Sequence, residues 1–253
     1  MIKLDDVCLT FPLQRARLRR RLISGGTSSG GEIIYHDGKP YVAALRNISF
    51  ELKPGDCVAL IGHNGSGKTT LLRTIARIYE VSAGTLETQG RISTMFSATL
   101  SLSDTETGLQ NIRYSAVLHG ISNSELEERL TEIVDICELG EYLELPVSMY
   151  SNGMRARLGL AMAMLSDPEI LLVDEALTAT DVHFLINIAK KTGLFGGENS
   201  ISLIATHAQK IQEFFCNKAI WLEHGQLKMF GDYDEVSRAY NGTSAKQFSS
   251  KTS

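Results

Sequence analysis

No apolar run in this chain approaches the ~20 residues that a membrane-spanning helix needs, and Met1 to Phe11 lacks the pattern of a secretory leader. Cysteine is scarce and scattered. Cys8, Cys57, Cys137 and Cys216 form no close pair and show no metal-ligand spacing, which argues for buried thiols in a reducing compartment rather than disulfides or zinc. A large charge of either sign is missing as well. The net charge is −4 over 253 residues, so nothing argues for wholesale binding to nucleic acid. What remains is 43% hydrophobic, enough to bury one substantial core with a smaller subdomain beside it.

Against that background one stretch stands out, Gly62-His63-Asn64-Gly65-Ser66-Gly67-Lys68-Thr69. It follows the apolar run Cys57 to Ile61 and leads into Thr70-Leu71-Leu72-Arg73-Thr74-Ile75-Ala76, whose apolar residues recur at helical spacing. Strand, glycine-rich loop and helix in that order are the context of a phosphate-binding loop. Glycines let successive backbone N–H groups turn inward on one anion, and the helix adds its positive end at the same spot. Lys68 then reaches the β- and γ-phosphates, and the Thr69 hydroxyl is placed to ligate Mg²⁺. The plainer alternative, an ordinary glycine turn, would leave the flanking strand and helix to coincidence. The loop alone does not separate an ATPase from a GTPase or a small-molecule kinase.

Glu169 to Glu175 is a short apolar run with two carboxylates at its end, which predicts a strand buried on both faces. In a parallel sheet the C-terminal ends of strands are where ligands sit. Asp174 would hold Mg²⁺ through water and Glu175 would polarise an attacking water; taken alone, a strand ending at a polar loop explains the same residues. Upstream, Tyr150-Ser151-Asn152-Gly153-Met154-Arg155-Ala156-Arg157-Leu158 opens a helix, with Ser151 placed to cap it.

With these three motifs the chain resembles the nucleotide-binding subunit of an ABC transporter over nearly its whole length. The family signature, usually Leu-Ser-Gly-Gly-Gln, stands here as Tyr150 to Met154. The resemblance implies an α/β fold, an ABC-type P-loop ATPase core with an antiparallel β subdomain and an inserted α-helical subdomain. It also implies two copies arranged head to tail with two ATP buried between them. Ser151 and Gly153 of one copy would close on the γ-phosphate held by the other copy's Gly62 to Thr70, and Mg²⁺ would accompany the ATP. By the same resemblance Lys68, Glu175 and His207 are the catalytic residues, and Asp181 is the aspartate that crosses the dimer, although by sequence alone it equally caps the next helix. His207 stands at the end of the apolar run Ile201 to Thr206, where ABC subunits keep a histidine on the γ-phosphate. GTP is disfavoured because Asn217-Lys218-Ala219-Ile220 lacks the aspartate of the guanine motif.

Taken in order, Met1 to Phe11 alternates as a strand, and Arg15, Arg17, Arg19, Arg20 and Arg21 then crowd together before the turn Gly25 to Gly31. That cluster reads either as a solvated basic loop or as a contact for anionic headgroups or an anionic lipid-linked substrate. Ala44 to Lys53 is the next strand. Tyr41, just before it, is the candidate to stack on adenine, with Tyr35 as the alternative. Asn111 to Tyr142 reads as helical, with Ser124 at the start of a segment whose stripe Leu126, Leu130, Ile133, Val134 and Cys137 is core packing. A hairpin about His224-Gly225 and a helix over Asp232 to Tyr240 follow.

One family feature is missing. Ser97 to Ser103 holds no glutamine where most ABC subunits have one touching Mg²⁺ and the attacking water, and Gln110 comes too late. The branch that serves bacterial polysaccharide export often lacks it and carries Thr-Gly-x-x-Asn-Ile, here Thr107 to Ile112, with a Tyr-Ser-x-Gly-Met-x-x-Arg-Leu signature, here Tyr150 to Leu158. The resemblance therefore implies export of a polyprenyl-lipid-linked polysaccharide of the O-antigen, capsule or teichoic type. An integral membrane permease would supply the path, with this chain peripheral on the cytoplasmic face of the inner membrane. Another lipid or drug exporter is the alternative, and a non-transport ABC ATPase is disfavoured by the single cassette without zinc clusters or coiled coils. The expected organisation is an ATPase domain over 1–241, a helical subdomain over 104–165 that meets the permease, and a disordered tail over 242–253. The expectation from this length is a chain without the C-terminal carbohydrate-binding domain of some branch members.

Overall fold

The computed structural model describes residues 1–13, 31–96, 102–177 and 180–249. The arginine cluster Arg15 to Arg21, the turn before Gly31 and most of the glutamine-free stretch after Phe96 lie outside the described residues. The chain divides into two compact units, each made of discontinuous segments.

The first unit comprises Met1–Lys53, Val58–Gln89 and Cys216–Ser253. Its four-stranded antiparallel sheet runs in the order β2 (Glu32–His36), β3 (Lys39–Leu52), β1 (Ile2–Pro12), β5 (Ala83–Thr88). Alternation decides which face is buried: Ile2, Leu4, Val7 and Leu9 of β1 meet Leu45, Ile48, Phe50 and Leu52 of β3 in the core. β3 begins earlier than the apolar pattern predicts, because pairing with β2 recruits Lys39 to Ala43 into the ladder. The β1–β3 register shifts around Asp6 and Asn47, whose backbones are both left-handed and whose side chains hydrogen-bond at 2.6 Å. A second group of strands packs on this sheet. β4 (Cys57–Ile61) is buried throughout and pairs in parallel with β9 (Lys218–Glu223), which turns back antiparallel into β10 (Gln226–Asp232) at His224-Gly225. Phe50 of β3 and Phe230 of β10 join the two groups with ring centroids 5.8 Å apart. The helix after β4, α1 (Lys68–Ile75), buries Leu71, Leu72 and Ile75.

The second unit comprises Pro54–Cys57 and Gly90–Phe215. Three parallel strands form its floor in the order β6 (Ile92–Met95), β7 (Ile170–Asp174), β8 (Ile201–Ala205), and every residue of β7 and β8 is buried, as their unbroken apolar runs predict. Between β6 and β7 lie α2 (Gly108–Leu118), α3 (Asn123–Cys137), 3-10 turns at Gly140–Glu144 and Val147–Met149, and α4 (Asn152–Met164). The predicted continuous helical stretch breaks at Gly120, whose φ is 73°, and α3 starts from Ser122 rather than Ser124: the Ser122 hydroxyl accepts the Glu125 N–H at 3.3 Å. Leu126, Ile133 and Cys137 of the predicted stripe are buried, and burial pushes the Cys137 thiol up to about 12. α5 (Val182–Thr192) and α6 (Gln209–Phe215) complete the unit.

The closing helix corrects the predicted disordered tail. In the first unit, α7 runs over Tyr233–Ser249, so residues 242–249 continue a helix instead of trailing off. Its first turns dock through Tyr240 against Trp221 of β9, at 5.6 Å between ring centroids, and the Thr243 hydroxyl bonds back to Ala239 O at 3.0 Å. Ala, Lys and Gln, which favour helix, follow in sequence and let the docked turns propagate. Residues 250–253 lie outside the described residues.

Candidate functional site

In the first unit, β4 delivers the chain to the loop Gly62 to Thr70. Gly62 sits at φ 151°, and a Cβ there would stand 2.3 Å from Leu222 O and 2.6 Å from Ser66 Oγ, so only glycine lets the loop turn this close to β9. α1 is capped by Gly67, which offers no hydroxyl or carboxylate of its own to the first N–H groups of the helix. That is the condition for an anion site. Lys68 folds back over the loop, its Nζ donating to Gly62 O at 2.6 Å and His63 O at 3.2 Å. Ser66 is fully buried, and its Oγ has no hydrogen-bond partner while its carbonyl accepts from Gly225 N at 2.8 Å. Asn64 and Gly65 are exposed, and Lys68, Thr69 and Thr70 are half-buried, open to a ligand. The His63 ring stacks obliquely near His224, 4.8 Å between centroids. Leu45 of β3 borders Gly67, and Tyr41 lies upstream on the same strand, half-buried and paired with Ile34 and Pro12. Tyr35 is exposed on the edge strand β2.

In the second unit the ends of β7 and β8 bring three predicted residues to one edge. Asp174 closes β7 and is buried. Glu175 follows with φ 57° and donates its N–H to Ala205 O of β8 at 2.7 Å. A glutamate in left-handed backbone is held there only by its surroundings, and such strain clusters at functional positions. The Glu175 Oε1 lies 3.4 Å from His207 Nε2, with side chains 43% and 61% exposed. A carboxylate and an imidazole facing solvent side by side can accept and hold a proton from water.

The signature turn is in the same unit. Ser151 caps α4, its Oγ accepting from Met154 N at 3.2 Å, and Asn152 and Gly153 are helical, so Asn152 needs no positive φ. Asp181 caps α5 by accepting from Phe184 N at 2.8 Å and pairs with Arg157 at 2.7 Å. The Phe184 amide, with the Arg157 guanidinium beside it, holds the Asp181 carboxyl below the usual carboxylate range. Arg157 also lies over the Phe184 ring at 4.4 Å.

The Thr107 to Ile112 run has a physical account. Thr107 and Gln110 form a reciprocal capping box at the start of α2, 2.9 and 3.1 Å, which commits Gln110 to a helix end. Asn111, buried, ties the preceding turn by accepting from Ser103 N at 2.7 Å and donating to Thr107 O at 2.9 Å. Gly108 leaves room for the signature tyrosine, since a Cβ would come 2.3 Å from Tyr150 Oη. The Arg155–Asp104 ion pair joins the same two segments. Neither of its members was a sequence candidate, and no local pattern links residues so far apart.

The family described as ABC transporter matches residues 45–178, more than half of the chain. The chain belongs to the ABC transporter family. It is similar to the O-antigen export system ATP-binding protein RfbE of Yersinia enterocolitica, 39% identical over 226 residues, which cover 88% of this chain and 94% of that protein. It is also similar to the teichoic acids export ATP-binding protein TagH of Lactococcus lactis, 35% identical over 197 residues and 78% of this chain, although the chain spans only 42% of that relative's length. Among solved structures, a dimeric ATP-binding cassette in a post-hydrolysis state bound to ADP and Pi superposes with a TM-score of 0.71 at 21% identity, covering 92% of this chain and 99% of that one. The α/β architecture predicted for an ABC-type P-loop ATPase is therefore the fold observed.

Proposed function

We propose that the chain is the ATP-hydrolysing subunit of an exporter that moves a polyprenyl-lipid-linked polysaccharide outward across the cytoplasmic membrane. The observation that carries this reading is the likeness, over 88% of this chain and 94% of the relative, to an O-antigen export ATP-binding protein, joined to the Thr107–Ile112 and Tyr150–Leu158 motifs. In this reading the N–H groups of Gly62 to Thr70 bind the phosphates of ATP, Lys68 neutralises the β- and γ-phosphates, and Tyr41 stacks on adenine. Glu175 takes the proton of the attacking water, and His207 holds it against the γ-phosphate. Ser151 and Gly153 act in trans on the ATP of a second copy, with Asp181 passing between the sites.

The donors suit Mg²⁺. Among the described residues no group of three His, Cys, Asp or Glu could hold a metal, and the hard oxygens of Thr69 and Asp174 fit an ion that takes its other ligands from phosphate and water. Bound Mg²⁺ supplies charge neutralisation on the phosphates. No described helix is long and apolar enough to cross a membrane, so this reading assigns the path to an integral permease, met by the helical segment 104–165, and places the chain peripherally on the cytoplasmic face.

The test is Glu175→Gln expressed in the native host, comparing lipid-linked glycan inside the cell with polysaccharide at the surface. The amide keeps the shape of the site without the base, so ATP binds and turnover falls about 10²–10⁴-fold. Internal accumulation with loss at the surface is the expected result. Unchanged surface polysaccharide, with ATPase activity lost in the purified protein, would remove the cargo assignment.

A further inference from the structure

The turn that leads into α4 is held by a brace between two side chains, Asp104 and Arg155, to which the motifs give no role. Arg155 lies in the first turns of α4 with its side chain only 13% exposed, and its Nη1 donates to Asp104 Oδ1. Its Nε donates to Tyr150 O at 3.4 Å, and its backbone N–H to Ser151 O at 3.0 Å. Asp104 O accepts in turn from Ser148 N at 2.8 Å, and Glu106 O from Val147 N at 2.9 Å. Tyr150 Oη donates to Tyr142 O at 2.6 Å. The residue just before Ser151 is therefore gripped through its carbonyl by Arg155, whose partner is Asp104, and through its hydroxyl by Tyr142 O, with Gly108 close beside the ring.

A cation in the first turns of a helix opposes the macrodipole unless an anion neutralises it. Asp104 is that anion, and the planar guanidinium, fixed between a carboxylate and a carbonyl, sets an orientation that a lysine would not. We propose that Asp104 and Arg155 are a positioning pair that aims Ser151 and the N-terminus of α4. The inference rests on the reading above, in which that N-terminus meets the γ-phosphate held by a second copy.

The experiment uses the purified full chain and three readouts: kcat for ATP hydrolysis, the Kd of a fluorescent ATP analogue at a dilution where no dimer forms, and thermal melting. Asp104→Ala and Arg155→Ala are each expected to lower kcat about tenfold and to leave the analogue's Kd within about twofold, because the phosphate loop is untouched. The double alanine variant is expected to be no slower than the slower single, and the swap Asp104→Arg/Arg155→Asp to recover to within about threefold of the unaltered chain. A folded swap as slow as the singles would overturn the proposal, since Arg155 would then act on the nucleotide or independently of Asp104. So would an unchanged kcat in Asp104→Ala. Should Arg155→Ala melt before assay, Asp104→Asn carries the test, because that side chain is 62% exposed. Glu175→Gln separates the two levels. If it forms no ATP-dependent dimer, the two-copy reading fails and takes the pair with it; if it does, and Asp104→Ala/Glu175→Gln dimerises at the same ATP concentration, the pair alone fails.

Discussion

The loop Gly62 to Thr70 takes its shape from neighbouring residues and one adjoining hairpin, whereas the turn before α4 is held by partners as far apart as Asp104 and Arg155, 51 residues along the chain. Both prepare a helix N-terminus. At α1 the cap is a glycine, which has no side chain to place over the helix end; at α4 Ser151 spends its hydroxyl on Met154 N, and direction comes from the brace. A local site is robust to changes elsewhere and fragile to its own glycines. A braced site can be disturbed from a distance and restored from a distance.

That contrast can be broken experimentally. The largest effect is expected for Gly62→Ala, where the new Cβ meets the Leu222 carbonyl, a backbone atom that no second substitution can trim. We expect a loss of about 3 kcal/mol or more, read by denaturant unfolding, with loss of ATP-analogue binding. Gly108→Ala is expected to cost about 1–3 kcal/mol, because its clash is mainly with Tyr150 Oη. Here a remote change should help: Gly108→Ala/Tyr150→Phe recovers part of the loss, and a double cycle with no coupling would remove the contact from the account. Ser151→Ala loses a cap worth about 1 kcal/mol and lowers the melting temperature accordingly.

The smallest effect is at Asp181. Its folded carboxyl lies below the ordinary range, so its contribution is complete above the unfolded pKa of about 3.9 and is lost as pH falls through the folded value. The group is largely exposed, which keeps the contribution small. Asp181→Asn should lower stability slightly at neutral pH, where the contribution is complete, and the difference from the unaltered chain should shrink as pH falls below about 4.

Much of this could be read before any coordinates. The strands β4, β7 and β8 were legible as unbroken apolar runs, the phosphate loop as a contiguous pattern, and Ser151 as a cap, because each depends on residues within a turn or two of one another. Gln110 was set aside as lying too late in the sequence, and in the structure its side chain closes a capping box at the start of α2. The misses have a common cause. Ser124 gave way to Ser122 because Gly120 ends α2 first, and residues 242–249 extend a helix that Trp221 of β9 anchors through Tyr240. Asp104 and Arg155 carried no signal, since an ion pair across 51 residues exists only once β6, α2 and α4 have packed.

By itself the sequence determined the chemistry available: a glycine loop with the pattern of a phosphate site, a lysine, two carboxylates at a strand end, a histidine at the next, and a capped helix. These are short-range facts, set by backbone freedom and side-chain reach. Only the tertiary structure decided that Glu175 stands in a left-handed turn beside His207, that Gly108 makes room for Tyr150, and that Asp104 grips the helix of Ser151. Those depend on where strands and helices from distant parts of the chain come to rest, which burial of their apolar faces decides and local pattern does not.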